Sequence, residues 1–331
     1  MKAAVLTGYG KKIEIRDLPV PAVSDNDVLV KIRTAGVNPL DNMIVGGEVR
    51  LIVPYKFPLV MGNEFVGVVE QTGRAVTRFA KGDRIWGRMP LKKIGAFAEY
   101  AAIDQSAVAL VPENLTDEEA ACVPLTALTA LQSLALMQPK KGETIFISGG
   151  TGSLGAMAIP VAKSFGLTVI TNGSSKGEAR VKQLGADRFI DYKKEDYAAV
   201  LHDVDYVLDT LGDRELPKEF GVLKKGGMLV SLRGLPNGAF AARTGMPAFK
   251  RLLFCLAGRK YDRMAAKKGQ SYHFIFVHED GAGLDRIAEI FAGKKIEASV
   301  DTVFPLADAE KAMQKVAAGG SNGKTILKIC E

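Results

Sequence analysis

A glycine-rich segment between a strand-like run and a helix-like run constrains this sequence more than any other feature. Residues 144–148 are β-branched and aromatic, which predicts a buried strand, and the apolar periodicity of residues 153–165 predicts a helix. Gly149, Gly152 and Gly155 stand three residues apart where the two runs meet. A strand, a glycine turn and a helix in this order indicate a dinucleotide-binding turn with its first glycine displaced.

The chemistry of this turn predicts that it holds the pyrophosphate of a dinucleotide. Glycine lets the backbone approach phosphate oxygens closely, and the first N–H groups of a helix bind anions. We therefore predict cofactor contacts at Gly149 and Gly152 and at the first helical residues, Ser153 and Leu154. Gly155 lets the helix lie close to the strand and completes the predicted set.

The rest of the chain divides into a β-rich part and a part in which strands and helices alternate. Residues 1–122 contain short strands separated by Pro and Gly, a pattern typical of a compact, partly barrel-like domain. From 123 to 277 the alternation predicts an α/β fold with a doubly wound parallel sheet of six strands. These predicted strands are 143–148, 167–171, 188–191, 205–210, 228–232 and 272–277; the tail adds helices at 284–291 and 307–317 and a strand at 324–329.

Composition and charge exclude several classes of protein. With 331 residues, 47% of them hydrophobic, the chain can bury the cores of two domains. No apolar run approaches the ~20 residues that span a bilayer. The net charge of +7 is spread along the chain, so we expect neither a membrane nor a nucleic acid as partner.

The cysteines and the first residues bear on the compartment. Cys122, Cys255 and Cys330 have no paired spacing, which argues against disulfides and against a zinc knuckle. From Met1 the chain enters a strand pattern without the layout of a signal peptide. We therefore expect a cytoplasmic protein.

One segment, 238–270, does not fit the alternation of strands and helices. Residues 248–257 predict an apolar helix, and basic residues follow it. A helix that binds a membrane surface is one interpretation. We favour the other, a lid or packing helix near the substrate cleft.

The end of the second strand of the alternating part indicates the cofactor. NAD enzymes carry Asp or Glu about 20 residues beyond the glycine turn, where the carboxylate binds the ribose hydroxyls. Residues 171–176 instead read Thr-Asn-Gly-Ser-Ser-Lys. The hydroxyl of Ser174 and the ammonium of Lys176 would hold a 2′-phosphate, which a carboxylate would repel. The sequence therefore favours NADPH, with Glu178 as a mild contrary sign.

At several places the chain resembles the medium-chain dehydrogenase/reductase superfamily, and within it the zinc-independent quinone oxidoreductases and alkenal (enoyl) reductases. The residues that carry the resemblance are Ala-Gly-Val-Asn-Pro-Leu-Asp at 35–41, Pro-Leu-Val-Met-Gly-Asn-Glu-Phe-Val-Gly at 58–67, Gly-Ala-Phe-Ala-Glu-Tyr at 95–100, the glycine turn, and Gly-Lys-Thr-Ile-Leu at 323–327. The resemblance implies a GroES-like catalytic domain from residues 1–122, completed by 278–331, and a Rossmann NADPH-binding domain from 123–277.

Departures from the family's zinc enzymes select the subgroup. Zinc alcohol dehydrogenases carry cysteine, histidine and cysteine where this chain has Asn38, Asn63 and Leu125. Amide and hydrocarbon side chains cannot supply the thiolate and imidazole ligands of catalytic zinc, so we predict no metal. Without metal the protein cannot easily ionise an alcohol, which favours the reduction of acceptors already activated by conjugation.

The resemblance also indicates the site residues. Asn38 stands where the metal ligand would lie against the nicotinamide, and we predict that its amide donates to the substrate, with a simple turn role as the alternative. Tyr55 is a second candidate donor, with packing as its alternative, while Asp41 and Glu64 are assigned structural roles. The family's cofactor-lining positions correspond to Thr129, Thr210, Phe276 and Lys324, and its 2′-phosphate clasp corresponds to Lys176 and Tyr192.

These observations predict a zinc-independent, NADPH-dependent oxidoreductase that transfers hydride to a quinone or to the C=C bond of an α,β-unsaturated carbonyl. An alcohol or ketone dehydrogenase and a non-catalytic NADPH-binding protein remain as alternatives. Relatives commonly pair through the edge of the Rossmann sheet, and the apolar strand 272–277 would need cover there. We therefore expect a homodimer.

Overall fold

The computed structural model describes residues 1–292, 300–319 and 323–330. The chain forms two units, one from Met1–Leu128 with His278–Glu331 and the other from Thr129–Val277. The division falls within a helix, Pro124–Met137, which begins just after the domain boundary predicted at residues 122–123. Each unit is described by itself below.

The first unit is built on two sheets. Its larger sheet has the strand order β15-β16-β3-β5-β6-β8, with β7 paired to β3, and its smaller sheet has the order β2-β1-β4. The strands are β1 Lys2–Leu6, β2 Ile13–Asp17, β3 Asp27–Val37, β4 Leu59–Val60, β5 Glu64–Thr72, β6 Arg84–Arg88, β7 Tyr100–Asp104, β8 Val108–Leu110, β15 Val300–Pro305 and β16 Lys324–Lys328. Because β16 pairs antiparallel with β3 (Thr325 opposite Val37), a strand from the last part of the sequence completes a sheet formed by strands from the first part.

The second unit contains one parallel sheet with the order β11-β10-β9-β12-β13-β14. The strands are β9 Thr144–Ile147, β10 Thr168–Gly173, β11 Arg188–Asp191, β12 Val204–Asp209, β13 Leu223–Ser231 and β14 Ser271–Phe274. This is the doubly wound order, in which the direction of winding reverses between β9 and β12. The predicted fold class, with its six-stranded parallel sheet, is confirmed.

Helices complete both units. They are α1 Pro39–Gly46, α2 Asp117–Ala120, α3 Pro124–Met137, α4 Ser153–Ser164, α5 Glu178–Gln183, α6 Tyr197–Val200, α7 Leu216–Val222, α8 Gly238–Arg243, α9 Ala248–Lys267, α10 Gly281–Phe291 and α11 Ala309–Ala318. Of the described residues, one segment, Asp117–Met137, has the length and hydropathy of a membrane span. Because 78% of the apolar 18-residue window in that segment is buried inside the protein, it belongs to the core.

Candidate functional site: a glycine turn and a buried polar network

The glycine turn follows β9 at the point where the winding of the parallel sheet reverses. Gly149 has φ = 69°, in the left-handed region that glycine favours. The side chain of Asn172, at the end of β10, holds the turn, because its Oδ1 accepts from Gly149 N at 2.7 Å. The Asn172 carbonyl also accepts from Gly150 N at 2.9 Å. Gly152 is the N-cap of α4, so the N–H groups of Ser153 and Leu154 lie at the start of the helix, as predicted.

Two glycines of the turn are required by close packing. A Cβ on Gly155 would lie 2.4 Å from the Cα of Gly150, and a Cβ on Gly150 would lie 1.8 Å from Thr171 Oγ1. At Gly152, in contrast, the nearest heavy atom to an added Cβ would be Gly149 O at 3.3 Å. Gly155 therefore brings α4 against the turn itself, whereas we predicted a close approach to the strand. Gly150 is an additional packing position that the spacing of the glycines does not reveal.

The loop after β10 presents the residues predicted to bind the 2′-phosphate. Ser174 precedes a short 3₁₀ turn, Ser175–Gly177, in which Lys176 is exposed. Tyr192, 58% exposed, follows β11, and its backbone N–H donates to the Gly173 carbonyl at 3.2 Å. The carboxylate of Glu178 pairs with Lys182 at 2.7 Å. Glu178 is thus engaged on its own helix, which weakens it as a sign against a phosphate.

Buried polar side chains lie next to the glycine turn. Thr210 N donates to Ser148 Oγ at 3.0 Å, and Thr210 Oγ1 donates to the Ser148 carbonyl at 2.7 Å. Asp209 accepts from Ser231 Oγ at 2.5 Å and from two backbone N–H groups. Burial raises the pKa of Asp209, and burial beside Asp209 raises the pKa of Glu219 well above its ordinary value.

In the first unit, Asn38, Glu64 and Lys324 meet where three strands begin or end. Asn38 follows β3, Glu64 opens β5 and Lys324 opens β16. The ammonium of Lys324 donates to Asn38 Oδ1 at 2.5 Å and pairs with Glu64 Oε1 at 2.6 Å. Asn38 Nδ2 donates to the same Glu64 oxygen at 2.7 Å and to the Gly36 carbonyl at 3.3 Å. All three side chains are at least 96% buried, so we call this cluster the buried polar network.

Asp41, Asn63 and Leu125 extend the network. Asp41 accepts from Asn38 N at 2.8 Å and from Asn63 Nδ2 at 2.7 Å, while Leu125 N donates to Glu64 Oε2 at 2.7 Å. Burial raises the pKa of Asp41 to about 7, against the lowering effect of these donors. Asn38, Asn63 and Leu125, the positions of the zinc ligands in the zinc enzymes, are therefore linked by hydrogen bonds to the carboxylates of Asp41 and Glu64.

Tyr55 and Arg88 lie in the same unit. Burial raises the pKa of Tyr55 to about 12, opposed by the nearby Arg88 charge, so its phenol stays protonated at neutral pH. Burial lowers the pKa of Arg88 to about 10, opposed first by Glu279. Arg88 Nη1 donates to the Met89 carbonyl, whereas Nε and Nη2 have no hydrogen-bond partner within the part of the chain that the structure describes.

Comparison with known proteins identifies the family. The model of the alcohol dehydrogenase GroES-like domain matches residues 24–113, and the model named zinc-binding dehydrogenase matches residues 184–327. The human protein named NAD(P)H oxidoreductase RTN4IP1, mitochondrial, is 30% identical over 367 residues, an alignment that covers 99% of this chain and 89% of that protein. The chain belongs to the medium-chain dehydrogenase/reductase superfamily.

Other members of the superfamily are similarly close. An Arabidopsis thaliana protein named NADPH-dependent alkenal/one oxidoreductase, chloroplastic, is 31% identical over 267 residues, covering 76% of this chain and 68% of that protein. The solved quinone oxidoreductase from Coxiella burnetii is 26% identical, with a TM-score of 0.83 over 100% of this chain and 99% of that one. The predicted superfamily is confirmed, and the cofactors in the relatives' names agree with the predicted NADPH.

The predicted cytoplasmic location is wrong as an inference from this sequence. The human and Arabidopsis relatives are named as mitochondrial and chloroplastic proteins. The relatives' names therefore point away from a purely cytoplasmic location. The physical reason for the error is that unpaired cysteines argue only against a disulfide framework, so they do not distinguish the cytoplasm from the interior of an organelle.

The remaining predicted residues lie at separate places. Thr129 is buried in α3, Thr210 lies against Gly149, and Phe276 is half-buried beyond the end of β14, because that strand stops at Phe274 rather than at 277. Asn172 was not predicted, although a polar residue at the end of the second strand is a readable signal. Arg88 was not predicted either, since only its complete burial distinguishes it from a surface arginine.

Proposed function

We propose that this member of the superfamily is a zinc-independent, NADPH-dependent reductase that transfers hydride to a quinone or to the activated C=C bond of an α,β-unsaturated carbonyl. The observation that carries the proposal is the buried ammonium of Lys324, held between Asn38 and Glu64. Its fixed positive charge stands among the positions that hold zinc in related enzymes. The Glu64 carboxylate is engaged by this ammonium and by Asn38, so it is not available as a metal ligand.

The side chains at these positions do not fit a zinc ion. Zinc binds thiolate, imidazole and carboxylate groups, whereas Asn38 and Asn63 offer amides already bound to Glu64 and Asp41. Nowhere in residues 1–292, 300–319 and 323–330 do three His, Cys, Asp or Glu side chains form a group that could hold a metal. Acceptors activated by conjugation fit such a site better than alcohols, which need a Lewis acid to ionise.

The second unit fits a dinucleotide. The first N–H groups of α4, at Ser153 and Leu154, would bind the pyrophosphate, and Lys176, Ser174 and Tyr192 would bind the 2′-phosphate. Bound NADPH supplies the hydride. Gly149 has a left-handed backbone, and Gly155 is in close contact with Gly150. Because both positions carry glycine, no side chain there obstructs the approach of the pyrophosphate to the turn.

The contribution of the first unit is electrostatic. Reduction of a quinone or enone places negative charge on the substrate oxygen, and fixed donors in a dry site stabilise that charge. Lys324 bonds the carbonyl oxygen of the Asn38 amide, which polarises the amide and makes Nδ2 a stronger donor. The protonated phenol of Tyr55 is the second candidate donor.

The test is a panel of NADPH oxidation assays with a benzoquinone, a short enal, a cyclic enone, an enoyl thioester and a simple ketone, each with and without a strong chelator. We expect turnover of at least one conjugated acceptor, unchanged by the chelator, and none of the ketone. Ketone reduction abolished by chelation would establish an alcohol dehydrogenase instead. Tight NADPH binding without turnover of any acceptor would establish a non-catalytic protein.

We also propose that the protein forms a homodimer through the edge of the parallel sheet. Among the described strands, β14 pairs with β13 on one side only, and an unpaired strand edge favours pairing with a second copy. Light scattering at micromolar concentration should give twice the mass of the chain. A monomer at that concentration contradicts the proposal.

A further inference from the structure

Helix α9 is fixed to the second unit through one face. Phe254, Gly258, Tyr261 and Ala265 are its buried residues. A Cβ on Gly258 would lie 2.4 Å from the Cβ of Asn237, so the helix and the chain before α8 are in close contact. The tyrosine hydroxyl of Tyr261 also donates to Asp213. These contacts pack one face of α9 against its own unit, while the side chains on its opposite face are exposed among the described residues.

The opposite face begins with an apolar patch. Phe249, Leu252, Leu253 and Leu256 are 63%, 64%, 48% and 58% exposed. Their spacing of three and four residues places them on one side of the helix, over two turns. Of the twelve large hydrophobic side chains exposed in the described residues, these four lie on one short stretch. They therefore form a continuous surface rather than scattered exposed residues.

Basic side chains continue the same face. Lys260, Arg263 and Lys267 follow Leu256 by four, seven and eleven residues, which places them in line with the apolar patch, and all three are exposed. None of them forms an ion pair with the described residues. Within Ala248–Lys267 there are six basic residues and one acid, Asp262, which accepts from Asn237 on the packed side.

We propose that this face of α9, from Phe249 to Lys267, binds the surface of an anionic phospholipid bilayer. Apolar side chains on one side of a helix enter the headgroup region, and lysine and arginine beside them bind lipid phosphates. The charge of the whole chain led us to expect no membrane partner, but six of the seven charged residues in α9 are basic, and surface binding requires no spanning segment. The proposal does not depend on the proposed activity.

Charge favours a bilayer over a second copy of the chain. Two copies packed along this face of α9 would bring Lys260, Arg263 and Lys267 of both chains together, and neither helix offers a carboxylate on its outer face. Like charges in contact oppose association. An anionic lipid surface instead supplies a complementary charge to each exposed cation.

The experiment is co-sedimentation of the full chain with vesicles of phosphatidylcholine, alone or mixed with phosphatidylglycerol. Binding to the mixed vesicles should exceed binding to neutral ones at least tenfold and should weaken as salt is raised. Lys260→Glu with Arg263→Glu should reduce the affinity at least tenfold, since each basic residue contributes roughly fivefold. Leu252→Ser with Leu256→Ser should also reduce it at least tenfold.

Matched variants control for charge, apolarity and folding. Lys140→Glu with Lys141→Glu reverses two exposed cations before β9, and Leu110→Ser replaces a leucine 52% exposed on β8. Both should bind like the wild type, and all variants should keep its thermal unfolding. Equal binding to neutral vesicles, or no binding to either kind, overturns the proposal. A dimer that the two leucine substitutions convert to monomer, without vesicle binding, would assign the face to a second copy instead.

Discussion

Lys176 is the residue on which cofactor selectivity should depend. It is exposed in the turn after β10, and no ion pair engages it among the described residues. A charge-assisted contact to the 2′-phosphate contributes on the order of 1.5–3 kcal/mol, so Lys176→Ala should weaken NADPH binding roughly tenfold to a hundredfold and leave NADH nearly unchanged. Because the 2′-phosphate is remote from the nicotinamide, the loss should appear in KM rather than in kcat.

The measurement is the ratio of kcat/KM for NADPH to that for NADH, in wild type, Lys176→Ala and Lys176→Glu. Lys140→Ala, at an exposed position before β9, is the control and should leave the ratio unchanged. Lys176→Glu should lower the ratio further, because a carboxylate repels phosphate and accepts from a ribose hydroxyl. A wild type that already prefers NADH, or an unchanged ratio in Lys176→Ala, would show that the 2′-phosphate is bound elsewhere.

Lys324 should be a larger determinant of stability than any surface lysine. Lys324→Met leaves the buried Glu64 side chain without its cation, and breaking a buried pair in this way costs about 3–5 kcal/mol. Adding Glu64→Gln replaces the unpaired buried carboxyl group with a neutral amide and should recover most of the lost stability. The free energy of unfolding in urea, measured for both variants, checks this. A double variant as unstable as the single one would contradict the assigned pairing.

The buried polar network shows what the sequence could predict at this scale and what it could not. Asn38 and Lys324 were both identified as site residues from the family's motifs. Their direct contact across 286 positions was not predicted, because it arises from the pairing of β16 with β3, which local patterns do not encode. The contact also shows that both amide hydrogens of Asn38 are engaged within the protein, so its predicted donation to substrate requires an exchange of partners.

At the scale of elements, the strand–turn–helix unit depends on two glycines in different ways. Gly155→Ala places a Cβ 2.4 Å from the Gly150 Cα, which should lower the melting temperature. Gly152→Ala meets only Gly149 O at 3.3 Å, in a backbone conformation open to any residue, and should leave the melting temperature nearly unchanged. If the pyrophosphate passes Gly152, that variant should still lose NADPH affinity. Calorimetry and NADPH titration of both variants separate the two effects; equal loss of stability in both would contradict this division.

The predicted elements were accurate in the parallel sheet and at the glycine turn. The strand 188–191 was predicted at its observed bounds, and the helix predicted at 153–165 is observed as α4, Ser153–Ser164. The sequence pattern does not reveal β7, because Tyr-Ala-Ala-Ile-Asp has little intrinsic β preference and pairs with β3 about seventy positions away. The strand β14 was predicted too long, since its apolar residues continue beyond the last paired residue.

At the scale of the whole molecule, buried acids and surface acids should give opposite pH dependences. Burial raises the pKa of Asp41 in the first unit and of Asp209 and Glu219 in the second. Backbone and lysine donors lower the pKa of Asp196 and Glu70 on the surface. A raised carboxyl pKa stabilises the folded state at low pH, and a lowered one stabilises it at higher pH. We therefore expect maximal stability on the acidic side of neutrality, above the range in which the surface carboxyls become protonated.

Asp41 allows this expectation to be tested in one unit. Its folded pKa of about 7 exceeds the ordinary value of 3.8, so the folded state keeps a proton that the unfolded chain has lost. The free energy of unfolding should fall as pH rises between these values, by up to about 1.4 kcal/mol per pH unit. Trp86, the only tryptophan, is fully buried in β6 of the same unit and reports unfolding by fluorescence. Asp41→Asn should reduce the slope of the unfolding free energy against pH by up to about 1.4 kcal/mol per pH unit, the contribution of one proton. Asp17→Asn, at an exposed position of β2, should leave the slope unchanged. A slope unchanged by Asp41→Asn would mean that Asp41 is ionised throughout this range and that the charge of Lys324 outweighs its burial.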